Sequence, residues 1–184
     1  MEAKTKITTL AMVQIALCTA LLCVSALIAI PLPIGVPFTL QVMSVVLVAL
    51  ILKPLHALIA LMIYILLGVI GLPVFSGGKS GIATVLSPTG GFIIGFVLAA
   101  FLISLLKGSL NSKYVMVRYL MIAVLVGIPC MYIPGIALYM VYTGADLLSA
   151  VATLTSVFII FDLAKCVIAA LIAVPLNKAL AKIQ

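Results

Sequence analysis

Apolar residues run almost unbroken through this chain, and the polar positions that interrupt them divide it into runs at roughly 7–30, 38–52, 55–71, 88–106, 114–139 and 148–176. A run of about 20 apolar residues matches the hydrocarbon thickness of a bilayer. The pattern therefore predicts an all-α, polytopic membrane protein of six transmembrane helices, with residues 1–184 forming a single integral-membrane unit. The second run is short and meets the third at a tight Lys53-Pro54 junction. It is either a full crossing or a half-helix entering from a structured loop, so five full crossings is the alternative count. The first run exceeds the roughly 7–15 apolar residues of a signal-peptide core and reads as a helix of the mature chain.

Composition agrees: 67% of the residues are hydrophobic and 7% charged, outside the range of soluble domains. Ten Lys and Arg against three acids (Glu2, Asp146 and Asp162) give a net charge of +7, which by itself would admit an acidic partner or nucleic acid. The placement of the cations removes that need. With the N-terminus in the cytoplasm, Lys4, Lys6, Lys53, Lys107, Lys113, Arg118, Lys178 and Lys182 fall on the inner side and Lys79 on the outer. That asymmetry is the positive-inside pattern, and it places both termini in the cytoplasm. The outer loops are then Pro31–Pro37, Gly71–Ser87 and Met140–Leu147.

Function classes narrow quickly. Cys18, Cys23, Cys130 and Cys166 lie in apolar runs without C-x-x-C spacing, which indicates neither a disulfide framework nor a zinc site. His56 is the one histidine and has no acid or cysteine nearby in sequence to make a catalytic dyad. One histidine and two distant aspartates do not furnish a metal site. The stretch Pro73–Ser80 (PVFSGGKS) ends like a phosphate-binding loop, but its first position is proline and no strand–helix unit surrounds it. Any ATP hydrolysis must come from another protein.

Two charges stand out inside an apolar run. Asp162 and Lys165 are three residues apart, hence on one helix face, and ionised groups at bilayer depth are costly enough to be functional as a rule. Together they offer a hydrogen-bond acceptor and a donor, or they neutralise each other structurally. The segment Gly71–Gly91 is rich in glycine and bracketed by Pro73 and Pro88, which suits a shaped outer loop where backbone approaches a ligand, or a plain connector. On the first helix Ala16 and Ala20, with Thr19, Cys23 and Ser25 nearby, gather small side chains where another helix could pack, inside this chain or outside it.

Three motifs, Pro33–Gln41 (PIGVPFTLQ), Gly71–Phe96 (GLPVFSGGKSGIATVLSPTGGFIIGF) and Phe158–Lys165 (FIIFDLAK), in this order and spacing, resemble the BioY family. These are the biotin-specific S components of energy-coupling-factor (ECF) transporters. The resemblance implies capture of biotin from outside and docking on one transmembrane coupling protein and two cytoplasmic ATPases in the cell membrane, with no cofactor and no enzymatic step. It implies that Asp162 accepts from a ureido N–H and that Lys165 donates to the ureido carbonyl or to the tail carboxylate. Lys79, the one basic residue on the outer side, would on the ground of its charge alone meet the carboxylate near the mouth. Gln41, Thr89, Gly77, Gly78, Gly90 and Gly91 follow by motif position, Phe75, Phe92 and Tyr139 as covers for the apolar rings, and Ala16 and Ala20 as the docking face. An S component for thiamine or riboflavin, or a ligand-free scaffold subunit, are the competing readings. The chain departs from the family pattern at Val157–Phe161, where proline and glycine are frequent, at Ser87, at Lys79 and in having no Trp.

Overall fold

The computed structural model describes residues 8–110 and 112–182; Glu2, Lys4 and Lys6 lie outside them. Helix α1 (Thr9–Leu27) starts where the Thr8 hydroxyl accepts from the Ala11 N–H at 3.2 Å. It ends ahead of Pro31, Pro33 and Pro37, which cannot donate to a continuing helix. The chain instead forms a small antiparallel ribbon, β1 (Ala29–Ile30) and β2 (Phe38–Thr39), pairing Ala29 with Thr39 and Ile30 with Phe38. Gly35, at φ +80°, turns the intervening segment. This ribbon is an addition to the all-helical expectation.

Helix α2 (Gln41–Ile51) follows directly. Its 11 residues span about 16 Å at 1.5 Å per residue, roughly half of a hydrocarbon layer about 30 Å thick. Nine of them are buried, because α2 packs against α1 and two helices described next, α5 (Gly90–Leu106) and α8 (Leu147–Leu180). Protein on every side explains why its sequence is apolar all round. Pro54 holds Lys53 extended and stops the helix, leaving buried carbonyls without helical donors. Lys107 Nζ donates to Ala49 O (3.2 Å), Leu50 O (2.9 Å) and Leu52 O. Asn177 Nδ2 donates to Leu50 O at 2.9 Å and Ser104 Oγ to Leu52 O.

The remaining elements are α3 (Pro54–Val69), a 3-10 turn at Ser76–Gly78, α4 (Ile82–Val85), and α6 (Val115–Ile122), which continues through a π-helical stretch Ala123–Gly127 into α7 (Ile128–Thr143). In that stretch Ile128 N–H bonds Ala123 O, and Pro129 cannot donate to Leu125. Among the described residues, three helices are long and apolar enough to cross a membrane: Thr9–Leu27, Val115–Thr143 and Leu147–Leu180. The helices at the other three apolar runs, α2, α3 and α5, are shorter. Large apolar side chains such as Leu17, Ile133 and Ile160 are exposed on the outside, as lipid contact requires.

Helices α5 and α7 make the tightest approach. Pro134 leaves the Cys130 carbonyl without its helical donor. Against it lies Gly95, where a Cβ would stand 2.7 Å from both Cys130 O and Met131 Cα. Gly91, one turn earlier, meets the Pro134 backbone in the same way. The small-xxx-small spacing thus lets two backbones touch. Helix α8 is capped by Asp146, whose carboxylate accepts from Ser149 N–H at 3.2 Å, and runs without a break through Val157–Phe161 and past Pro175.

Candidate functional site

The loop after α3 turns at Gly71 (φ +110°) and folds back on the helix it has left. Phe75 is fully buried, edge-on to Tyr64 with ring centres 5.7 Å apart, in a slot that exists because position 68 is glycine. Gly81 N–H donates to Gly68 O at 2.7 Å and Phe75 N–H to Lys79 O at 2.9 Å. Gly77 (φ +69°) and Gly78 (φ +78°) supply the left-handed turn between those bonds. The anchored loop carries Ser76 to the wall of a cavity.

That cavity lies between the ribbon, the loop, α5 and α8. The ribbon contributes Thr39 and the segment between its strands Val36, α2 contributes Gln41 from its first turn, and the loop Ser76 and Thr89. Phe92, Ile93 and Phe96 come from α5. Phe158, Asp162 and Lys165 come from α8, at positions i, i+4 and i+7 of one helical face. The lining is mainly apolar with a few polar groups converging on it, the usual make-up of a small-molecule site.

Its electrostatic centre is an ion pair. Lys165 Nζ lies 2.9 Å from Asp162 Oδ1, and both side chains are almost wholly buried. The second carboxylate oxygen, Oδ2, accepts from the Tyr132 hydroxyl at 2.8 Å. Lys165 Nζ also sits 4.0 Å from the centre of the Phe38 ring, a cation–π contact, and Phe38 packs edge-on against Phe161 at 5.2 Å. Removing one partner from such a pair leaves a buried charge uncompensated, at a cost of about 3–5 kcal/mol. Gln41 Nε2 donates to the Tyr64 hydroxyl at 2.7 Å, which orients the amide. The Ser76 hydroxyl is shielded from solvent and has no hydrogen-bond partner among the described residues.

Of the residues singled out from sequence, Asp162, Lys165, Gln41, Thr89 and Phe92 meet at this cavity. Phe75 anchors the loop from behind, and Gly77 and Gly78 shape its turn. Gly90 and Gly91 serve close packing: a side chain at Gly90 would overlap the Val85 carbonyl, and one at Gly91 the Pro134 carbonyl. Lys79 is exposed on the loop, and Tyr139 is buried on α7 away from the cavity lining. Ala16 and Ala20 are exposed on α1, whereas Thr19 and Ser25 face inward. Thr19 Oγ1 bonds Ile15 O and Ala60 O, and Ser25 Oγ meets Ser44 Oγ at 2.6 Å. The small residues of α1 are therefore split between two faces. Tyr132 and Ser76 were not legible as site residues: a tyrosine in an apolar run reads as packing, and a serine between Phe75 and Gly77 as part of a turn.

Comparison with known proteins gives one consistent result. The model of the BioY family matches residues 1–182. A biotin transporter BioY of Thermotoga maritima is 42% identical over 160 residues, covering 87% of this chain and 91% of that protein. The biotin transporter BioY2 of Lactococcus lactis subsp. cremoris is 37% identical over 166 residues, covering 90% and 89%. The crystal structure of the S-component for biotin from an ECF-type ABC transporter superposes with a TM-score of 0.86 at 29% identity, over 97% of this chain and 95% of that one. The family is one of transporter components rather than enzymes. With the motif order, the helical architecture and the whole-length matches in agreement, this chain belongs to the BioY family.

Proposed function

We propose that this chain captures biotin on the outer side of the cytoplasmic membrane and hands it inward as the S component of an ECF-type transporter. The observation that carries this reading is the buried Asp162–Lys165 pair in the wall of an apolar cavity, within a chain whose relatives are named as biotin transporters. The thiamine and riboflavin alternatives find no support among those relatives.

Biotin's parts have counterparts in the lining. Its ureido ring offers two N–H donors and a carbonyl acceptor. A carboxylate has about four acceptor positions, of which Lys165 and Tyr132 use one on each oxygen of Asp162. Asp162 thus retains capacity for a ureido N–H. Lys165, with three N–H donors, has donors to spare for the ureido carbonyl once it turns from the Phe38 ring. The Ser76 hydroxyl, which has no hydrogen-bond partner among the described residues, is a further contact in our reading. Phe92, Phe96 and Phe158 suit the thiophane ring and the aliphatic tail. Lys79, exposed on the outer loop, is our candidate for the tail carboxylate.

In this reading the chain passes between the two sides of the membrane six times: α3 and α5 are shorter crossings, and the second passage is made by α2, about half the hydrocarbon thickness, together with the extended residues Leu52 and Lys53 that follow it. Lys53, Lys107, Lys113, Arg118, Lys178 and Lys182 then mark the cytoplasmic side. The exposed Ala16 and Ala20 of α1 form the face for the coupling protein, which brings the two ATPases. The test is uptake of radiolabelled biotin by a biotin-auxotrophic bacterium producing this chain with an ECF energising module. ATP-dependent accumulation, lost when Ala16 and Ala20 are both changed to Leu while surface biotin binding persists, supports the reading. Uptake that persists in that double variant removes the docking face, and no binding or uptake in any arm removes the assignment.

A further inference from the structure

Tyr132 lies outside the motifs that mark this family in the sequence, yet among the described residues its hydroxyl makes the one side-chain hydrogen bond that the Asp162 carboxylate receives from another helix. It donates to Oδ2 at 2.8 Å, opposite the Lys165 ammonium on Oδ1 at 2.9 Å. The phenol is itself held. Its ring packs edge-on against Phe92, with centres 6.1 Å apart and planes at 79°, and Phe92 lines the cavity. One turn further along α7, Gly135 leaves the space that the Phe92 ring occupies, since a Cβ there would stand 2.7 Å from its Cε1 and Cζ. Tyr132, Gly135 and Phe92 therefore interlock behind the carboxylate.

This interlock has a geometric effect on the site. A carboxylate turns easily about its last torsion, which has broad wells. A lysine one turn away on the same helix would draw such a group toward itself and occupy both oxygens. The Tyr132 hydroxyl holds Oδ2 away from Lys165 and so fixes the plane of the group. One acceptor position remains on each oxygen of a side chain that faces the cavity. We infer that Tyr132 is a positioning residue for the ligand: through its hydrogen bond to Asp162 it presents a fixed, ionised acceptor to a ligand N–H. The inference rests on the reading that Asp162 receives the ureido ring of biotin. Tyr132 touches the carboxylate and does not line the cavity, so it acts through Asp162.

A buried phenol also simply needs a partner, and Asp162 could be no more than that. The two roles separate in a double-mutant cycle on the full purified chain, with biotin affinity measured for wild type, Tyr132→Phe, Asp162→Asn and the double variant. If Tyr132 acts by aiming the carboxylate, Tyr132→Phe weakens biotin binding about tenfold in the wild-type background, the scale of one hydrogen bond to a charged group. In the Asp162→Asn background, where no carboxylate remains to aim, the same change costs less than about twofold by this argument. An equal loss in both backgrounds, or none in the wild type, overturns the inference.

A second readout does not depend on residual binding by the Asn variant. The chain contains two aspartates, Asp146 and Asp162. Asp146→Asn with carbon-13 aspartate therefore leaves Asp162 as the sole labelled side-chain carboxylate in the infrared spectrum. Biotin should shift its antisymmetric stretch sharply in that background and produce a broader, smaller shift when Tyr132→Phe is added, both at saturating biotin. Identical shifts would overturn the inference. Absence of biotin binding by folded wild-type chain would instead remove the underlying reading, and this inference with it.

Discussion

Lys107 carries the sharpest test of how the short helix α2 is held inside the protein. Its ammonium donates to Ala49 O, Leu50 O and Leu52 O at the buried end of that helix. Leu50 O keeps Asn177 and Leu52 O keeps Ser104 when Lys107 is replaced, so Ala49 O is the carbonyl that depends on it most. Leaving one buried acceptor unpaired costs about 1–3 kcal/mol, and two others lose a charged donor while retaining a neutral one. Removing a half-buried ammonium returns part of that loss, because a methionine carries no desolvation penalty. For Lys107→Met the balance is about 2 kcal/mol of destabilisation. In a chain of 184 residues that corresponds to a melting point lower by about 4–8 °C. The assay is thermal unfolding of the detergent-solubilised chain, followed by tryptic resistance or a thiol-reactive dye reporting on the buried Cys18 and Cys166. Lys178→Met, an exposed lysine near the same end, is the control and should leave the melting point unchanged. If Lys107→Met melts with that control, the capping account of α2 is wrong.

Three further expectations follow from the packing. Gly95→Ala should lower the melting point markedly, because its new Cβ meets only backbone at 2.7 Å and α5 and α7 must part by about 0.7 Å to reach ordinary contact at 3.4 Å; Ala99→Gly, one turn on, makes a comparison without a clash. Phe75→Ala should destabilise by about 3–5 kcal/mol, as expected for a fully buried aromatic, and should weaken biotin binding because the loop bearing Ser76 loses its anchor on α3. Asp146 is held below the usual carboxylate range by hydrogen bonds from the Ser149 hydroxyl and then its N–H. A carboxyl with a depressed folded-state pKa stabilises the fold above its unfolded value near 3.8 and loses that contribution as pH falls through its lower folded value. Melting curves of wild type and Asp146→Ala should therefore differ at neutral pH and converge well below pH 4.

The degree to which the sequence disclosed this protein depends on which signals survive in an apolar background. Asp162 and Lys165 were conspicuous because a charge among Leu and Ile has few structural reasons to be there, and their spacing foretold a shared face; the structure pairs them at 2.9 Å. The Lys53-Pro54 junction likewise signalled that the second run could be half a crossing, and α2 has about that length. By contrast, the prolines at 31, 33 and 37 marked an outer loop without disclosing its form, since the pairing of Ala29 with Thr39 across them involves too few residues to leave a periodic pattern. Gly90 and Gly91 invited a ligand-approach reading, yet the same absence of a side chain serves packing on Val85 and Pro134. Sequence spacing could not sort Ala16 and Ala20 from Thr19 and Ser25, because which side of α1 faces α2 and α3 is decided by the rest of the fold.

The most direct test of the central claim is equilibrium binding of labelled biotin to the purified chain in detergent, with Asp162→Asn, Lys165→Met and excess thiamine or riboflavin as comparisons. The account predicts saturable biotin binding that the other vitamins do not displace. It also predicts that each substitution weakens binding by about 10- to 150-fold, the scale of about 1.5–3 kcal/mol for a hydrogen bond to a charged group. Biotin binding of wild-type strength in a folded Asp162→Asn variant, or none in a folded wild-type chain, would contradict it.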